Sequence, residues 1–386
     1  MGVRFGSPLR WVVLAGCGIL LALAGCGQFF PPLTSGGGSG TNSGDYLYVG
    51  NLAADNIGAF TFASSALTSL SGSPFTGSIA PVALAITPNN NYLYVSSGDA
   101  TGIGEIYVYP IDSDGALGSG SLAGNVGPAA LKADTSGDWL IGVDPYLGDA
   151  YVLQIDTSTG TVTQLSSSTV TLPNCTPTAM AGLSPGLAIT SDDSYVYASC
   201  GTAGIYALSF DSSSGALTYV GQLGPKKSGG ADSGLALATD SSGDNYLLAA
   251  ETVTNGVRVF SIDSGSGNFT EVSGSPFSTG TGPDAVLVDS TDSYAYVANR
   301  TNGTISGFTI GAGGALTAIS GSPFATGSLP VALVEDNSNT YIAAICYGGS
   351  SDLETYTIGT GGALVSFKSA ATGTDPTEAS SIATTH

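Results

Sequence analysis

Apolar residues occur along this chain in short runs separated by turns rich in Gly, Ser, Asp, Asn and Pro. The clearest runs begin on an aromatic: YLYV from Tyr46 and again from Tyr92, WLIG from Trp139, YVYA from Tyr195, YLLA from Tyr246, YAYV from Tyr294 and YIAA from Tyr341. In Tyr92-Leu93-Tyr94-Val95 the apolar residues occupy both parities, so the spacing predicts a strand buried on both faces. A small-residue strand such as 81–87 precedes the aromatic one, across a polar turn. A third strand alternates, as in Val257, Val259 and Ile262, and a Gly-containing hairpin such as 211–215 leads to a fourth. No amphipathic helix interrupts the pattern.

The leading aromatics recur at intervals of 46, 47, 56, 51, 48 and 47 residues. One stretch is repeated without a gap: LTSLSGSPFTGSIAPVAL at 67–84, FTEVSGSPFSTGTGPDAV at 269–286 and LTAISGSPFATGSLPVAL at 316–333. A fixed-period repeat of four short strands is a propeller blade. The fold class is therefore all-β, a seven-bladed β-propeller with four antiparallel strands per blade. Small residues and glycine suit the first strand, where blades converge and large side chains would collide. No first strand precedes Tyr46, whereas a spare one, Pro376 to Ile382, follows the last unit. Placed beside Tyr46–Val49, this C-terminal strand closes the first blade and removes two exposed sheet edges.

The N-terminal segment lies outside the repeat. Arg4 and Arg10 precede an apolar run from Trp11 to Ala24 that is short for a bilayer span and reads as a secretory signal. It ends in Leu23-Ala24-Gly25-Cys26, which resembles a bacterial lipobox; Cys17 fits the same pattern but would leave the signal almost no apolar core. The expected organisation is a signal peptide over 1–25, a lipid-anchored flexible tether over 26–44 with the lipid on Cys26, and the propeller over 45–386. The tether is mostly Gly, Ser, Thr, Pro and Asn; its 18 residues from Gly27 to Gly44 span roughly 23 Å as a flexible coil. Gly27 in place of an aspartate, by resemblance to lipoprotein sorting rules, points to the outer membrane of a bacterial cell envelope.

The chain has 29 acidic and 8 basic residues, a formal charge of −21. Such a surface repels nucleic acid. Most acids fall in turns, as Asp192-Asp193 does, and read as solvated surface. Asp112, Asp114 and Gly115 lack the spaced ligands and closing glutamate of a calcium loop. With no cluster of imidazoles or thiolates, no metal and no cofactor are expected.

YVANRTNGTISGFTI from Tyr296 to Ile310, with the LTxxSGSPF and GxxPxAL segments, resembles the lactonase-type seven-bladed propellers, a family that includes 6-phosphogluconolactonase and muconate cycloisomerase. The match covers residues 45–386. It implies the fold, and with it lactone hydrolysis as one reading of the activity. Enzymes of the family use histidine and arginine at the channel mouth, but this chain has Ala83, Ala130, Gly186, Ala285 and Ala332 there. Its single histidine is His386. A Ser-His-Asp arrangement lacks its base.

Candidate positions remain on the rim where second strands end: Asn51, Ser97, Asp144, Cys200, Glu251, Asn299 and Cys346. Asn51 and Asn299 suit hydrogen bonds within their own turns. Asp144 and Glu251 are acids at a rim expected to be wet. Lys226, Lys227 and Arg300 fall on the same rim. Ligand contact is thus expected at Asn51, Asp144, Glu251, Asn299, Arg300, Lys226 and Lys227, with no catalytic residue. The expected function is a binding or scaffold module meeting an envelope protein or a small molecule, with the membrane a partner only through the lipid anchor; the alternative is a lactonase. Extra chain at 171–185 and Cys200 share that rim, so a disulfide is expected between Cys175 and Cys200, with Cys346 free.

Overall fold

The computed structural model describes residues 44–63, 66–77, 80–97, 104–180, 183, 185–348, 351–373 and 379–386. The signal segment with Cys17 and Cys26, nearly all of the tether, and residues 374–378 lie outside the described residues. The described chain folds into seven antiparallel sheets, one per repeat unit. Blades two to seven run outward from first strands at Ala83–Ile86, Ala130–Ala133, Leu187–Ile189, Asp232–Thr239, Pro283–Val288 and Pro330–Glu335. The second strands start on the aromatics, from Tyr46–Asn51 in blade one to Tyr341–Cys346 in blade seven, except in blade five, where Asn245 precedes Tyr246. Blade one takes its innermost strand, Ala379–Thr384, from the end of the chain, with Tyr48 opposite Ala383 and Val49 opposite Ile382. Tyr46 N–H donates to Thr385 Oγ1 at 2.9 Å, and Thr385 N–H returns a bond to the Tyr46 carbonyl at 3.0 Å.

The first strands are buried and rich in Ala, as close convergence requires. Hydroxyls stitch neighbouring blades together here: Ser96 Oγ donates to the Pro128 carbonyl at 2.7 Å, Ser199 Oγ to Ser233 at 2.6 Å, Ser233 Oγ to Asp284 at 2.9 Å and Ser380 Oγ to Pro81 at 2.7 Å. Glycine is sparser in these strands than its abundance suggests. It is concentrated in turns, many at positive φ, which glycine adopts without the steric cost other residues bear.

One contact recurs around the ring. The leading aromatic of each blade lies flat on a glycine in the third-to-fourth-strand hairpin of the next: Tyr46 on Gly115, Tyr92 on Gly160, Trp139 on Gly215, Tyr195 on Gly267, Tyr246 on Gly314 and Tyr294 on Gly362. These glycines have φ of 70–80°, and an added Cβ would come within 2.2–2.8 Å of the ring. In four blades a buried tyrosine two residues on donates its hydroxyl to the same glycine's carbonyl: Tyr48 to Gly115, Tyr94 to Gly160, Tyr197 to Gly267 and Tyr296 to Gly362, at 2.7–2.9 Å. The last junction differs, because Tyr341 stacks on Phe62 of blade one with centroids 5.1 Å apart.

The SGSPF repeats prove structural. The first glycine of each, Gly72, Gly274 or Gly321, has φ of 87–91°. The following serine, Ser73, Ser275 or Ser322, accepts a third-strand N–H at 2.8–3.0 Å. The phenylalanine then begins a two-residue strand that pairs back onto the third strand.

Cys175, in the crossing from blade three to blade four, is bonded to Cys200, whose Cα is 5.3 Å away; Cys346 is buried and free. The bond closes a loop with a sequence separation of 25. Replacing Cys175 with serine should lower unfolding stability by about 3 kcal/mol, measured by denaturant titration, with no effect of reductant on the variant. Deleting residues 375–386 should expose the inner edge of the Tyr46–Asn51 strand and abolish the cooperative melt; a truncated protein that melts like the full chain would contradict this closure.

Candidate functional site

Because strands alternate in direction, first strands begin, second strands end and third strands begin at one end of the ring, here called the upper face. All the candidate residues lie there. The lower face carries the first-to-second-strand turns, in which an Asp or Thr side chain accepts the turn's own N–H groups. Asp289 Oδ1 takes Ser293 and Tyr294, and Asp336 Oδ1 takes Thr340 and Tyr341, at 2.6–2.8 Å. These acids are part of the turn structure.

The upper rim is drier than the sequence suggested. Asn51, Asp144, Glu251 and Asn299 are all fully buried; the crossing that enters the blade lies against Asn51 at Thr372, Glu251 at Gly230 and Asn299 at Gly280. Asn51 Nδ2 donates to Asn56 Oδ1 at 2.7 Å and to the Thr372 carbonyl at 3.0 Å, and its Oδ1 accepts from Thr372 Oγ1 at 2.6 Å. It ties blade one to the final crossing. Asn299 Nδ2 donates to Thr304 and Ser306 within blade six. Asp144 Oδ1 accepts N–H bonds from Tyr146 and Leu147 at 2.8 and 3.2 Å, and burial pushes its carboxyl above the usual range. Glu251 accepts from Thr254 Oγ1. One oxygen each of Asp144 and Glu251 is buried without a hydrogen-bond partner in the protein.

The cations are spread over adjacent blades. Lys226, in the crossing into blade five, reaches Glu271 Oε2 at 2.9 Å, and Arg300 of blade six lies 3.5 Å from Asp284 Oδ2. Lys227 is exposed beside Lys226. Beneath them sits Arg258, only 2% exposed, which the sequence reading overlooked. Its guanidinium meets Asp232 Oδ2 at 2.9 Å, Glu271 Oε2 at 3.3 Å and the Gly224 carbonyl at 3.1 Å, and stacks over Phe260 at 4.7 Å. Burial pushes Asp232 up to about 7 despite the adjacent guanidinium. A charge inside the otherwise apolar Val257-Arg258-Val259-Phe260 strand was a visible signal. So was Asp284, which stands where the other two copies of the stretch have Val82 and Val331. The structure thus brings Lys226, Lys227 and Arg300 to one face, leaves them partly accessible, and places Asp144 and Glu251 inside the protein. His386 is on the lower face, its main chain bonded to Asn90.

No protein-family model matches the chain, and no curated protein matches it in sequence. Solved structures do match in fold. A protein from Lactobacillus plantarum superposes with a TM-score of 0.70 at 18% identity, over 89% of this chain and all of that one. A Bacteroides uniformis protein assigned as a 6-phosphogluconolactonase gives 0.70 at 16% identity over 89% and 100%. The periplasmic gluconolactonase of Pseudomonas aeruginosa gives 0.69 at 14% identity over 89% and 99%. The fold is that of the 6-phosphogluconolactonase-like seven-bladed propellers; at these identities the likeness is one of fold.

Burial also sets a pH response. It pushes Asp45, Asp232 and Glu335 up to about 7, so between pH 4 and 7 the folded chain holds protons that the unfolded chain has lost. Their contribution is present at the acid end of this window and disappears as pH rises through 7. His386, pushed down to about 4, and Lys132, pushed down to about 7, oppose this, but three groups outweigh two. The melting temperature should therefore be higher at pH 5.5 than at pH 7.5 by at least about 2 °C, measured by scanning calorimetry in matched ionic strength.

Proposed function

We propose that the protein is an extracytoplasmic, lipid-anchored propeller that binds an anionic group of a small molecule or envelope partner on its upper face, without hydrolysing lactones. The observation that carries this reading is the division of charge on that face. Lys226, Lys227 and Arg300 are accessible cations on that face of a strongly acidic chain. The two acids at strand ends that could serve as a general base are fully buried. A base must lie within hydrogen-bond reach of the water it activates. Asp144 and Glu251 instead have one oxygen committed to their own turns. The only histidine is at the opposite face. Attachment through Cys26 in the outer membrane belongs to the same proposal and rests on the lipobox-like Leu23-Ala24-Gly25-Cys26; a flexible tether would hold the propeller clear of the lipid headgroups.

One observation favours the second reading, a lactonase. Asp144 is a carboxyl whose affinity for protons is raised by burial, which is how enzymes prepare a carboxylate for acid-base work, and Arg300 offers a donor for a developing oxyanion. Hydrolysis of gluconolactone and 6-phosphogluconolactone by the wild type and by Asp144→Asn and Glu251→Gln variants separates the two. The expected rate is that of buffer in all three. Saturable turnover by the wild type that either variant loses would establish the enzyme and overturn the binding module.

A further inference from the structure

The repeat is broken at one place on the lower face. In blades two, three, four, six and seven the residue that organises the first-to-second-strand turn stands five positions before the leading aromatic: Thr87 and Tyr92, Asp134 and Trp139, Thr190 and Tyr195, Asp289 and Tyr294, Asp336 and Tyr341. Its side chain accepts that aromatic's N–H, at 2.6–3.1 Å. In blade five the separation is six, Asp240 to Tyr246. Asp240 Oδ1 accepts from Ser242 and Asp244 instead, and the added residue places Asn245 at the head of the strand. In repeat proteins such an insertion in one unit maps to a loop on one face, often the binding face.

At this place a cleft of about 190 Å3 opens between blades four, five and six. That is room for roughly six waters at about 30 Å3 each, or one sugar ring. Tyr195, Leu237 and Ile262 give it an apolar wall, while Asp192, Asn245 and Asp292 give it polar groups. Asn245 Oδ1 accepts from Thr239 Oγ1 at 3.0 Å, which directs the amide's NH2 donors elsewhere. Burial pushes the Asp292 carboxyl up, with the Thr239 N–H opposing. At Asp192 burial also acts upward, but bonds from Thr190 and Ser194 outweigh it and hold that carboxyl below its usual value. Among the described residues no Lys, Arg or His lines the cleft. An uncharged or anionic ligand would leave two carboxylates facing it uncompensated, whereas an ammonium would pair with them.

We propose that this cleft is a second binding site, distinct from the upper face, for a monosaccharide-sized molecule carrying an ammonium group, of which an amino sugar is the simplest case. The ring's C–H surface packs on Tyr195 and Leu237. The ammonium meets Asp292 and Asp192, and a ring hydroxyl accepts from Asn245. The site does not rest on the function proposed for the upper face.

The test is calorimetry and saturation-transfer NMR on the propeller with glucosamine and with glucose. Glucosamine should bind saturably, and glucose about tenfold more weakly or worse, the scale of one charge-assisted hydrogen bond. Asp292→Asn should weaken glucosamine binding by a similar factor. Asp292 has φ of 54°, a conformation asparagine tolerates, so the fold should survive; Asn245→Ala is the second probe should it not. Lys368→Ala, on the outer strand of blade seven, should leave binding unchanged. Failure of the wild type to bind glucosamine, equal affinity for glucose, or indifference to both cleft substitutions would overturn the site.

Discussion

The structure depends on an aromatic ring lying on a glycine of the next blade. A seven-bladed ring has no single core; it has a series of interfaces, and each must be sealed at its outer, lower corner, where the hairpin of one blade meets the strand of another. A flat ring on a residue with no Cβ and a left-handed backbone makes that seal with close contact. The buried tyrosines that bond the same carbonyls fix the hairpin from inside as well, each bond contributing about 1 kcal/mol net. Where the partner tyrosine is missing, substitutes appear: Trp139 Nε1 donates to the Ser212 carbonyl at 2.7 Å, and Asp240 joins Tyr246 to the Gly313 N–H.

Because neighbouring blades meet only through such interfaces, the chain tolerates variation wherever the seal is untouched. The interest of this propeller therefore lies in its departures from repetition. Asp284 replaces a buried valine, Arg258 enters an apolar strand, and blade five gains a residue in its lower turn. All of these fall in blades five and six. The two ends of this sector have opposite character. The upper end presents cations supported by a buried network of Arg258, Asp232 and Glu271, and the lower end presents carboxylates around an apolar wall.

Burying an arginine with two carboxylates is worth little as stability, since desolvation offsets most of the attraction. Its effect here is positional. Arg258 holds Glu271, and Glu271 holds Lys226 at the surface, so the exposed ammonium is placed by a chain of contacts anchored inside the blade. The same dryness that fixes this network withdraws Asp144 and Glu251 from solvent.

The sequence by itself determined the architecture. Aromatic-led strands at near-constant spacing require blades, their number follows from counting, and a missing first strand at one end with a spare one at the other requires closure between the chain's ends. These are properties of pattern, which local chemistry imposes on every unit alike. Tertiary structure alone decided which polar residues are available to a ligand. Asn51, Asp144, Glu251 and Asn299 share one register position and read as a rim, yet all four are buried, three of them against the crossing that enters the blade. Asn51 meets Thr372, 321 positions away. The lower cleft has the same origin: its walls come from blades four, five and six, and no stretch of sequence contains them together. Exposure is set by what folds over a residue, and that partner is distant in the chain.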